Sequence, residues 1–270
     1  VLHFSVGQHV VNERGRSLVS RDRGQTWEEP EQSMPSANVA VTRDGRVIGL
    51  SGWGGEEQGD GLFNGMLYWS DDAGTTWQHK TVPLRMQKGV KPFIHRSMLA
   101  MPDGSLLCTY YSNRPGEAKY HSGLLRSTDG GETWEYFGDI AYDPEAPSEG
   151  YCEPAVALLA NGDLLCMLRT GGPMYQTRSS DGGSTWTEPQ QVMDHGVCPD
   201  LCLMQNGVLV CSYGRPNASI MFSFDGTGNK WENAQDIYRG LGSHYTTVRE
   251  LEPGLLIYFY DQSGFVGNPG

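Results

Sequence analysis

Acidic, basic and phenolic side chains recur at the open end of a repeated apolar hairpin, where its first strand begins and its second strand ends. When the hairpins are aligned on their turns, the start of the first strand carries Arg96, Glu153, Asp200 and Tyr245 in four successive copies. The end of the second strand carries Arg114, Arg169, Arg215 and Asp261. Arginine binds anionic groups through paired N–H donors. Several arginines on one rim of a protein with a net charge of −12 therefore indicate an anionic small ligand.

Five similar hairpins must position these side chains. In one of them, Val156-Ala157-Leu158 and Leu164-Leu165-Cys166 flank the turn Asn161-Gly162. Asn-Gly or Asp-Gly between two apolar runs is a strong signal for a β-hairpin. The other hairpin turns are Asp44-Gly45, Asp103-Gly104, Asn206-Gly207 and Pro253-Gly254.

A polar octet, Ser-X-Asp-X-Gly-X-Thr-Trp, alternates with the hairpins. It begins at Ser20, Ser70, Ser127 and Ser179, and a fifth copy with one inserted residue begins at Ser223. In such a turn the aspartate accepts backbone N–H groups, the glycine supplies a positive φ and the tryptophan packs between sheets. We therefore interpret the five aspartates as structural.

The spacing of the octets predicts the fold. Their aspartates are 44 to 57 residues apart, and a period of this size with strands and turns is typical of β-propeller blades. We predict an all-β protein, a propeller of four-stranded antiparallel blades forming a single domain over residues 1–270. The N-terminal segment should supply about three strands, the middle four complete blades and the C-terminal segment two strands. Six blades with an incomplete seam fit this pattern best, and five are the alternative.

Composition excludes several classes of function. Twenty Lys+Arg against 32 Asp+Glu argue against nucleic acid or an anionic membrane surface as a partner. No apolar run approaches the roughly 20 residues of a membrane span, and no signal-peptide pattern opens the chain. Three of the six cysteines, Cys108, Cys166 and Cys211, fill one repeated apolar position, while Cys202 and Cys211 could form a cross-strand disulfide.

The octets resemble the Asp-box (BNR) repeats of sialidases, and the hairpins between residues 153 and 261 resemble the catalytic blades of that family. Cys152-Glu153-Pro154 through Leu168-Arg169 is similar to the blade with the catalytic glutamate and the second substrate-binding arginine. Tyr213-Gly214-Arg215-Pro216 resembles the blade with the third arginine, and His244-Tyr245-Thr246-Thr247 the blade with the nucleophilic tyrosine. The resemblance implies Tyr245 as nucleophile, Glu153 as its base, and Arg169 and Arg215 as a clamp for the substrate carboxylate.

Two positions depart from the family pattern. The first arginine of the family, in an Arg-Ile-Pro-like phrase, is missing, and the chain is expected to begin after that point. Arg96, preceded by His95, is the candidate replacement. The segment where the family has its acid/base aspartate, residues 7–14, contains none, so Glu13 and Asp60 are the candidates for that role. Asp200 is unexpected in a purely anion-binding site and could be a different acid.

The resulting prediction is a retaining sialidase-like exo-glycosidase that removes a terminal acidic sugar and needs no metal or cofactor. We expect a monomer with a carbohydrate substrate, and the substrate class favours a secreted or periplasmic location. A hydrolase or lyase for uronate-type sugars, with Asp200 as acid and Tyr245 as base, is one alternative. A propeller that binds glycans without cleaving them is the other.

Overall fold

Short antiparallel meanders account for most of the chain. The structure, a computed structural model, describes residues 2–8, 11–35, 38–240 and 242–262. These ranges contain twenty strands and no helix, and hence no helix long and apolar enough to cross a membrane. The chain forms two compact units, a central unit, Ala37–Asp194, and a terminal unit, Val1–Ser36 together with His195–Gly270.

Three meanders of four strands form the central unit. With the strands numbered along the whole chain, the first contains β3 (Asn38–Val41), β4 (Val47–Ser51), β5 (Leu62–Ser70) and β6 (Gln78–Arg85). The second contains β7 (Phe93–Ala100), β8 (Leu106–Asn113), β9 (Tyr120–Ser127) and β10 (Trp134–Ala141). The third contains β11 (Cys152–Leu158), β12 (Leu164–Arg169), β13 (Met174–Ser179) and β14 (Gln190–Met193).

The first two meanders are joined at their last strands. β6 and β10 pair in parallel through Trp134 opposite Leu84 and Glu135 opposite Arg85. This pairing makes one sheet of eight strands in the order β3-β4-β5-β6-β10-β9-β8-β7. The sequence pattern did not indicate this junction, because each meander carries a complete set of hairpin and turn signals by itself.

The terminal unit contains one four-stranded meander and two hairpins. The meander comprises β15 (Val197–Leu203), β16 (Leu209–Gly214), β17 (Ala218–Ser223) and β18 (Glu232–Tyr238). One hairpin pairs β1 (Leu2–Gln8) with β2 (Val11–Leu18), and the other pairs β19 (Thr246–Glu252) with β20 (Leu255–Tyr260). The four predicted meanders and the two C-terminal strands are confirmed. The expectation of three N-terminal strands is wrong, since after β2 the described residues add only the isolated bridge between Val19 and Glu28.

The octets close their turns by internal hydrogen bonds. In the copy that begins at Ser127, Asp129 Oδ1 accepts from Ser127 Oγ at 2.8 Å and from Thr133 N at 3.0 Å. The indole Nε1 of Trp134, which is fully buried, donates to Gly131 O at 3.0 Å. In the preceding copy, hydrogen bonds from Thr76 lower the pKa of Asp72 to about 2. These aspartates are satisfied within their own turns, as a structural role requires.

The repeated cysteine position lies in the core. Cys108, Cys166 and Cys211 are fully buried, opposite Met98, Val156 and Leu201 of the preceding strand. All six cysteines are free thiols. The suggestion of a disulfide between Cys202 and Cys211 is wrong, because the hairpin register places Cys202 opposite Val210.

Candidate functional site

The first strand of three meanders begins with an irregular turn of the backbone. Register shifts lie between Ile94 and Met98 in β7, between Cys152 and Ala155 in β11, and between Val197 and Asp200 in β15. Each shift contains a non-glycine residue with positive φ, namely Arg96 at 75°, Glu153 at 47° and Cys198 at 49°. Such conformations are uncommon for residues with a side chain, and bulges near active sites re-aim side chains. The strain therefore marks these positions as functional candidates.

Glu153 is one half of a buried ion pair. Glu153 is only 4% exposed, and its Oε1 lies 2.5 Å from Nη1 of Arg169, the last residue of β12. Nη2 of Arg169 lies 2.9 Å from Oε1 of Glu149. A buried carboxylate is tolerated only when it is paired and hydrogen-bonded, and Arg169 supplies that partner for Glu153.

Glu149 was missed in the sequence. It precedes β11 in the loop Pro147-Ser148-Glu149-Gly150, which carries no repeat signal. The only hint in the sequence was that a second glutamate stands four residues before Glu153. Whether that glutamate reaches the site depends on how the loop folds back onto Arg169, which the sequence does not specify. Glu149, Glu153 and Arg169 thus form a group of three charges.

His95 and Arg96 lie next to these charges, at the beginning of β7. Burial lowers the pKa of His95 to about 4; the carboxylate of Glu153 opposes this effect, and the guanidinium groups of Arg96 and Arg169 add to it. A ring nitrogen of His95 and a carboxylate oxygen of Glu153 also lie within 4.8 Å of each other. We call His95, its neighbour Arg96, Glu149, Glu153 and Arg169 the Glu153 cluster. The cluster contains the predicted Arg96, Glu153 and Arg169 together with two residues that the sequence did not single out as site residues.

Hydrogen bonds between β7, β8 and β11 fix the backbone below the Glu153 cluster. Thr109 Oγ1 donates to the carbonyl oxygen of His95 and accepts from Ser97 N at 2.9 Å. Ser97 Oγ in turn accepts from Val156 N at 2.8 Å, which ties β7 to β11. Threonine and serine hydroxyls therefore supply the partners that the irregular strand pairing leaves open.

Acidification should destabilise the central unit through His95. Because the pKa of His95 is about 4 in the folded protein and ordinarily 6.5, the unfolded chain binds more protons between these pH values. The contribution of His95 to the free energy of unfolding is therefore fully present above pH 6.5. It is lost as the pH drops towards 4, by roughly 3 kcal/mol in total. We expect His95→Gln, which cannot titrate, to flatten the fall of the urea midpoint between pH 6.5 and 4.5. His79→Gln, at an exposed position of β6, is the control, and equal slopes in both variants would refute the assignment.

In the terminal unit, Arg215 lies against Tyr245. The guanidinium carbon of Arg215 is 5.5 Å from the centroid of the Tyr245 ring, and Arg215 Nε donates to Ser243 O at 3.1 Å. Asp261 accepts from Tyr245 N at 2.9 Å and from Ser243 Oγ at 2.5 Å. Arg215, Ser243, Tyr245 and Asp261 thus form a second group, the Tyr245 cluster, in which an aspartate orients the backbone and an arginine covers the phenol ring.

His244 is buried beside this cluster. It is 1% exposed, it has a φ of 52°, and neither ring nitrogen has a hydrogen-bond partner within the described part of the chain. The end of β16 lies directly against its backbone: a Cβ on Gly214 would be 1.8 Å from His244 O. The glycine is therefore required for the approach of β16 to the segment that carries Tyr245.

Asp200 has a different position from the one that the turn alignment predicted. It lies opposite Ser212, at the level that Ala155 holds opposite Met167, whereas Cys198 takes the level of Glu153. Asp200 is buried, and its Oδ2 accepts from Thr247 Oγ1, from Val248 N at 3.1 Å and from Arg249 Nη1 at 2.5 Å. The predicted equivalence of Asp200 with Glu153 is wrong, and the observed contacts tie β15 to β19.

The remaining candidates are distributed over loops and strand ends. Asp60 has a side chain that is 95% exposed and lies 3.4 Å from Lys88 Nζ. Arg114 is paired with Asp139 at the end of the second meander. Glu13 is in β2, but its side chain lies outside the described residues. The acid/base role proposed for Glu13 or Asp60 stays a prediction.

Comparisons with known proteins agree with this architecture. Residues 39–256 match the family model of the BNR repeat-like domain. A sialidase of Bacteroides fragilis (strain YCH46) is 28% identical over a region that covers 50% of this chain and 32% of that protein. The chain therefore spans about a third of the length of the curated relative that it matches.

Solved structures resemble the chain in fold. A protein of unknown function from Dyadobacter fermentans DSM 18053 has a TM-score of 0.73 at 22% identity, over 96% of this chain and 83% of that one. The NanB sialidase from Streptococcus pneumoniae has a TM-score of 0.70 at 12% identity, over 97% and 62%. An alpha-L-arabinanase of Penicillium chrysogenum, complexed with arabinobiose, has a TM-score of 0.61 at 16% identity, over 78% and 69%. The predicted all-β fold with four-stranded antiparallel meanders is confirmed, although two of the meanders join into one sheet of eight strands, and the number of blades stays a prediction.

Proposed function

The chain belongs to the BNR repeat-like family, and on that basis we propose that it is a sialidase-like glycoside hydrolase that releases a terminal acidic sugar from a glycan. The observation that carries the proposal is Glu153, a buried carboxylate that has a strained backbone conformation and is paired with Arg169. Backbone strain at a buried, paired carboxylate is typical of groups held ready for catalysis.

The proposal assigns the nucleophile to Tyr245 and its base to Glu153. A sialic acid carries a carboxylate on its anomeric carbon, so a carboxylate nucleophile would be repelled as it approached that carbon. A neutral phenol avoids this repulsion, and a neighbouring carboxylate can accept its proton. Attack by Tyr245 on the anomeric carbon would break its bond to the aglycone oxygen and release the aglycone, which takes up a proton. Attack of water would then break the bond between the sugar and Tyr245, and the two displacements together would retain the anomeric configuration. The guanidinium of Arg215, 5.5 Å from the ring centroid, supports the assignment because it places a group that can bind the substrate carboxylate beside the proposed nucleophile.

The substrate carboxylate is assigned to the arginines. Arg169 and Arg215 are the proposed clamp, and Arg96 is the proposed third member. Guanidinium groups match the two oxygens of a carboxylate, whereas lysine offers a single point charge. In the Glu153 cluster Glu149 binds Arg169 at 2.9 Å, which fixes the direction of the guanidinium before a substrate arrives.

A second candidate function is the hydrolysis of a neutral sugar. The observation that favours it is the charge balance of the Glu153 cluster, in which two arginines face two glutamates. Arg169 is bound to both Glu149 and Glu153, so part of its charge is already compensated. Most glycosidases also use a pair of carboxyl groups, one as the acid and the other as the base or nucleophile. Glu149 and Glu153 would then carry the reaction, and the arginines would only position them.

Hydrolysis assays with aryl glycosides separate the two candidates. We expect the protein to release the fluorophore from an aryl α-sialoside and to leave an aryl α-L-arabinofuranoside intact. Arg169→Lys should lower kcat/KM on the sialoside by about 100-fold or more, because it removes the bidentate contact and the partner of Glu153.

Arg178→Lys is the matched control. Arg178 lies in the same sheet, on β13, and pairs with Asp163 at 3.1 Å, so its replacement tests the loss of a guanidinium away from the Glu153 cluster. Turnover of the arabinofuranoside alone would establish the second candidate in place of the first. If the protein binds glycans saturably but hydrolyses neither compound, and no uronate glycoside either, both candidate functions are rejected. The protein would then be a glycan-binding propeller without hydrolase activity.

A further inference from the structure

A large aromatic side chain is exposed close to the Glu153 cluster. Trp53, in the loop between β4 and β5, is 65% exposed. Its ring centroid lies 5.0 Å from that of Phe93, 6.1 Å from that of Tyr111 and 6.5 Å from that of His95. Exposed apolar side chains that gather in one place mark interaction sites, whereas single ones need no explanation. Trp53 is not a single ring of this kind, because its exposed indole adjoins the half-buried rings of Phe93, Tyr111 and His95.

The backbone around Trp53 is fixed. Trp53 forms an isolated antiparallel bridge with Phe93, Ile94 N donates to Gly52 O at 2.8 Å, and Gly54 N donates to Pro92 O at 2.9 Å. Gly54 has a φ of 72°, and a Cβ there would be 3.2 Å from Phe93 Cε1. The indole is therefore presented to solvent by a rigid loop, and binding to it would cost little ordering of the chain.

The aromatic side chains lead from Trp53 to the carboxylates. Tyr111 contacts Tyr120 with a centroid distance of 5.2 Å. Tyr120 N donates to Glu149 O at 2.8 Å, and Tyr120 forms an isolated parallel bridge with Gly150, so Tyr120 adjoins the Glu153 cluster. We call Trp53, Phe93, Tyr111 and Tyr120 the Trp53 platform. It is continuous with the Glu153 cluster through both Tyr120 and His95.

We propose that the Trp53 platform binds a neutral sugar unit of the same glycan whose terminal unit is bound at the Glu153 cluster. The inference rests on the proposed function, which it extends from the terminal sugar to the units that follow it. The C–H face of a pyranose is apolar and packs on an aromatic ring, whereas its hydroxyl groups at the rim stay in water.

Charge and size select a neutral sugar among possible occupants. The exposed Glu56 follows Trp53 in the same loop and would repel an anionic sugar unit. A protein partner needs roughly 800 Å² of surface on each side, far more than one indole and its neighbours present. Continuity with the carboxylate and arginine side chains points instead to an extended ligand that reaches both places.

The test compares a long and a short substrate. The short one is an aryl glycoside of the acidic sugar, and the long one is a trisaccharide in which the same sugar is followed by two neutral hexoses. We expect Trp53→Ala to lower kcat/KM on the trisaccharide relative to the aryl glycoside by about tenfold, mainly through KM, and Trp53→Phe to recover most of the loss. Phe224→Ala is the control, because Phe224 is 55% exposed and stacks on Phe222 in the other unit.

A binding measurement keeps the inference separate from the proposed function. Saturation-transfer NMR with the neutral disaccharide alone should show contact with the wild type and a loss of contact with Trp53→Ala, whether or not the protein hydrolyses anything. Absence of turnover on both substrates together with disaccharide binding would reject the proposed function and retain the platform. An unchanged substrate ratio, or an equal loss on both substrates, would overturn the platform even if the enzyme is active. Thermal melting of Trp53→Phe and Trp53→Ala confirms that both variants are folded.

Discussion

Tyr245→Phe is expected to lower kcat for hydrolysis of an aryl α-sialoside by about 1,000-fold or more. The variant keeps the ring beside Arg215 and the backbone hydrogen bond from Tyr245 N to Asp261, and it removes only the hydroxyl group. If that hydroxyl forms the bond to the anomeric carbon, its loss eliminates the covalent route altogether. The measurement is the initial rate of fluorophore release at saturating substrate.

Two controls belong to this experiment. Tyr175→Phe removes a hydroxyl from another partly buried tyrosine, whose ring contacts Tyr151 in the third meander, and should leave kcat unchanged. A fluorinated acidic-sugar inactivator should attach to the wild type, and peptide mass spectrometry should find the adduct on Tyr245. An adduct on a carboxylate, or a Tyr245→Phe variant with normal kcat, would show that Tyr245 is not the nucleophile.

The second large effect concerns stability. Gly214→Ala should destabilise the protein by about 3 kcal/mol, at the upper end of what overpacking costs. The added Cβ would be 1.8 Å from His244 O and 2.8 Å from His244 C, so the neighbouring backbone must move rather than a flexible side chain. Since His244 precedes Tyr245, the same displacement should also reduce catalysis in whatever protein remains folded. Thermal and urea unfolding of the purified variant measure the first effect.

Gly138→Ala provides the comparison for this prediction. Gly138 also lies in a strand, β10, but a Cβ there would meet no atom within 4 Å. We expect its unfolding midpoint to stay close to that of the wild type. Equal midpoints for the two alanine variants would mean that β16 and the His244 segment can separate at little cost.

The fold was predictable because its signals are local. A turn such as Asn161-Gly162 and an octet such as Ser127–Trp134 each specify a few neighbouring backbone angles and hydrogen bonds. Five copies of each signal then fix the strand order of every meander. The parallel contact of Trp134 and Glu135 with β6 could not be foreseen, since it joins residues about 50 positions apart and leaves no pattern in either strand.

The candidate site was predictable only in part. Glu153 with Arg169, and Arg215 with Tyr245, were found because they lie at the ends of hairpin strands that the turns define. The bulges were not found, because a positive φ at a glutamate contradicts local preference and is imposed by tertiary contacts. Each bulge adds residues between the hairpin turn and the start of the strand, so counting from the turn does not give equivalent positions. For this reason the sequence alignment matched Asp200 with Glu153, whereas the strand register matches Cys198 with Glu153. Glu149 and Trp53 lie in loops without repeat signals.

Because β6 pairs with β10, the first two meanders form one eight-stranded sheet and not two separate sheets. An isolated meander ends in a strand whose outer edge is open to pairing with other chains, and the parallel contact protects two such edges at once. The two meanders consequently hold each other by main-chain hydrogen bonds as well as by the covalent link between them. The link itself, residues 86–92, is held in place as well, because Val90 is buried in the core and Gly89 N donates to Glu57 Oε2 at 3.0 Å.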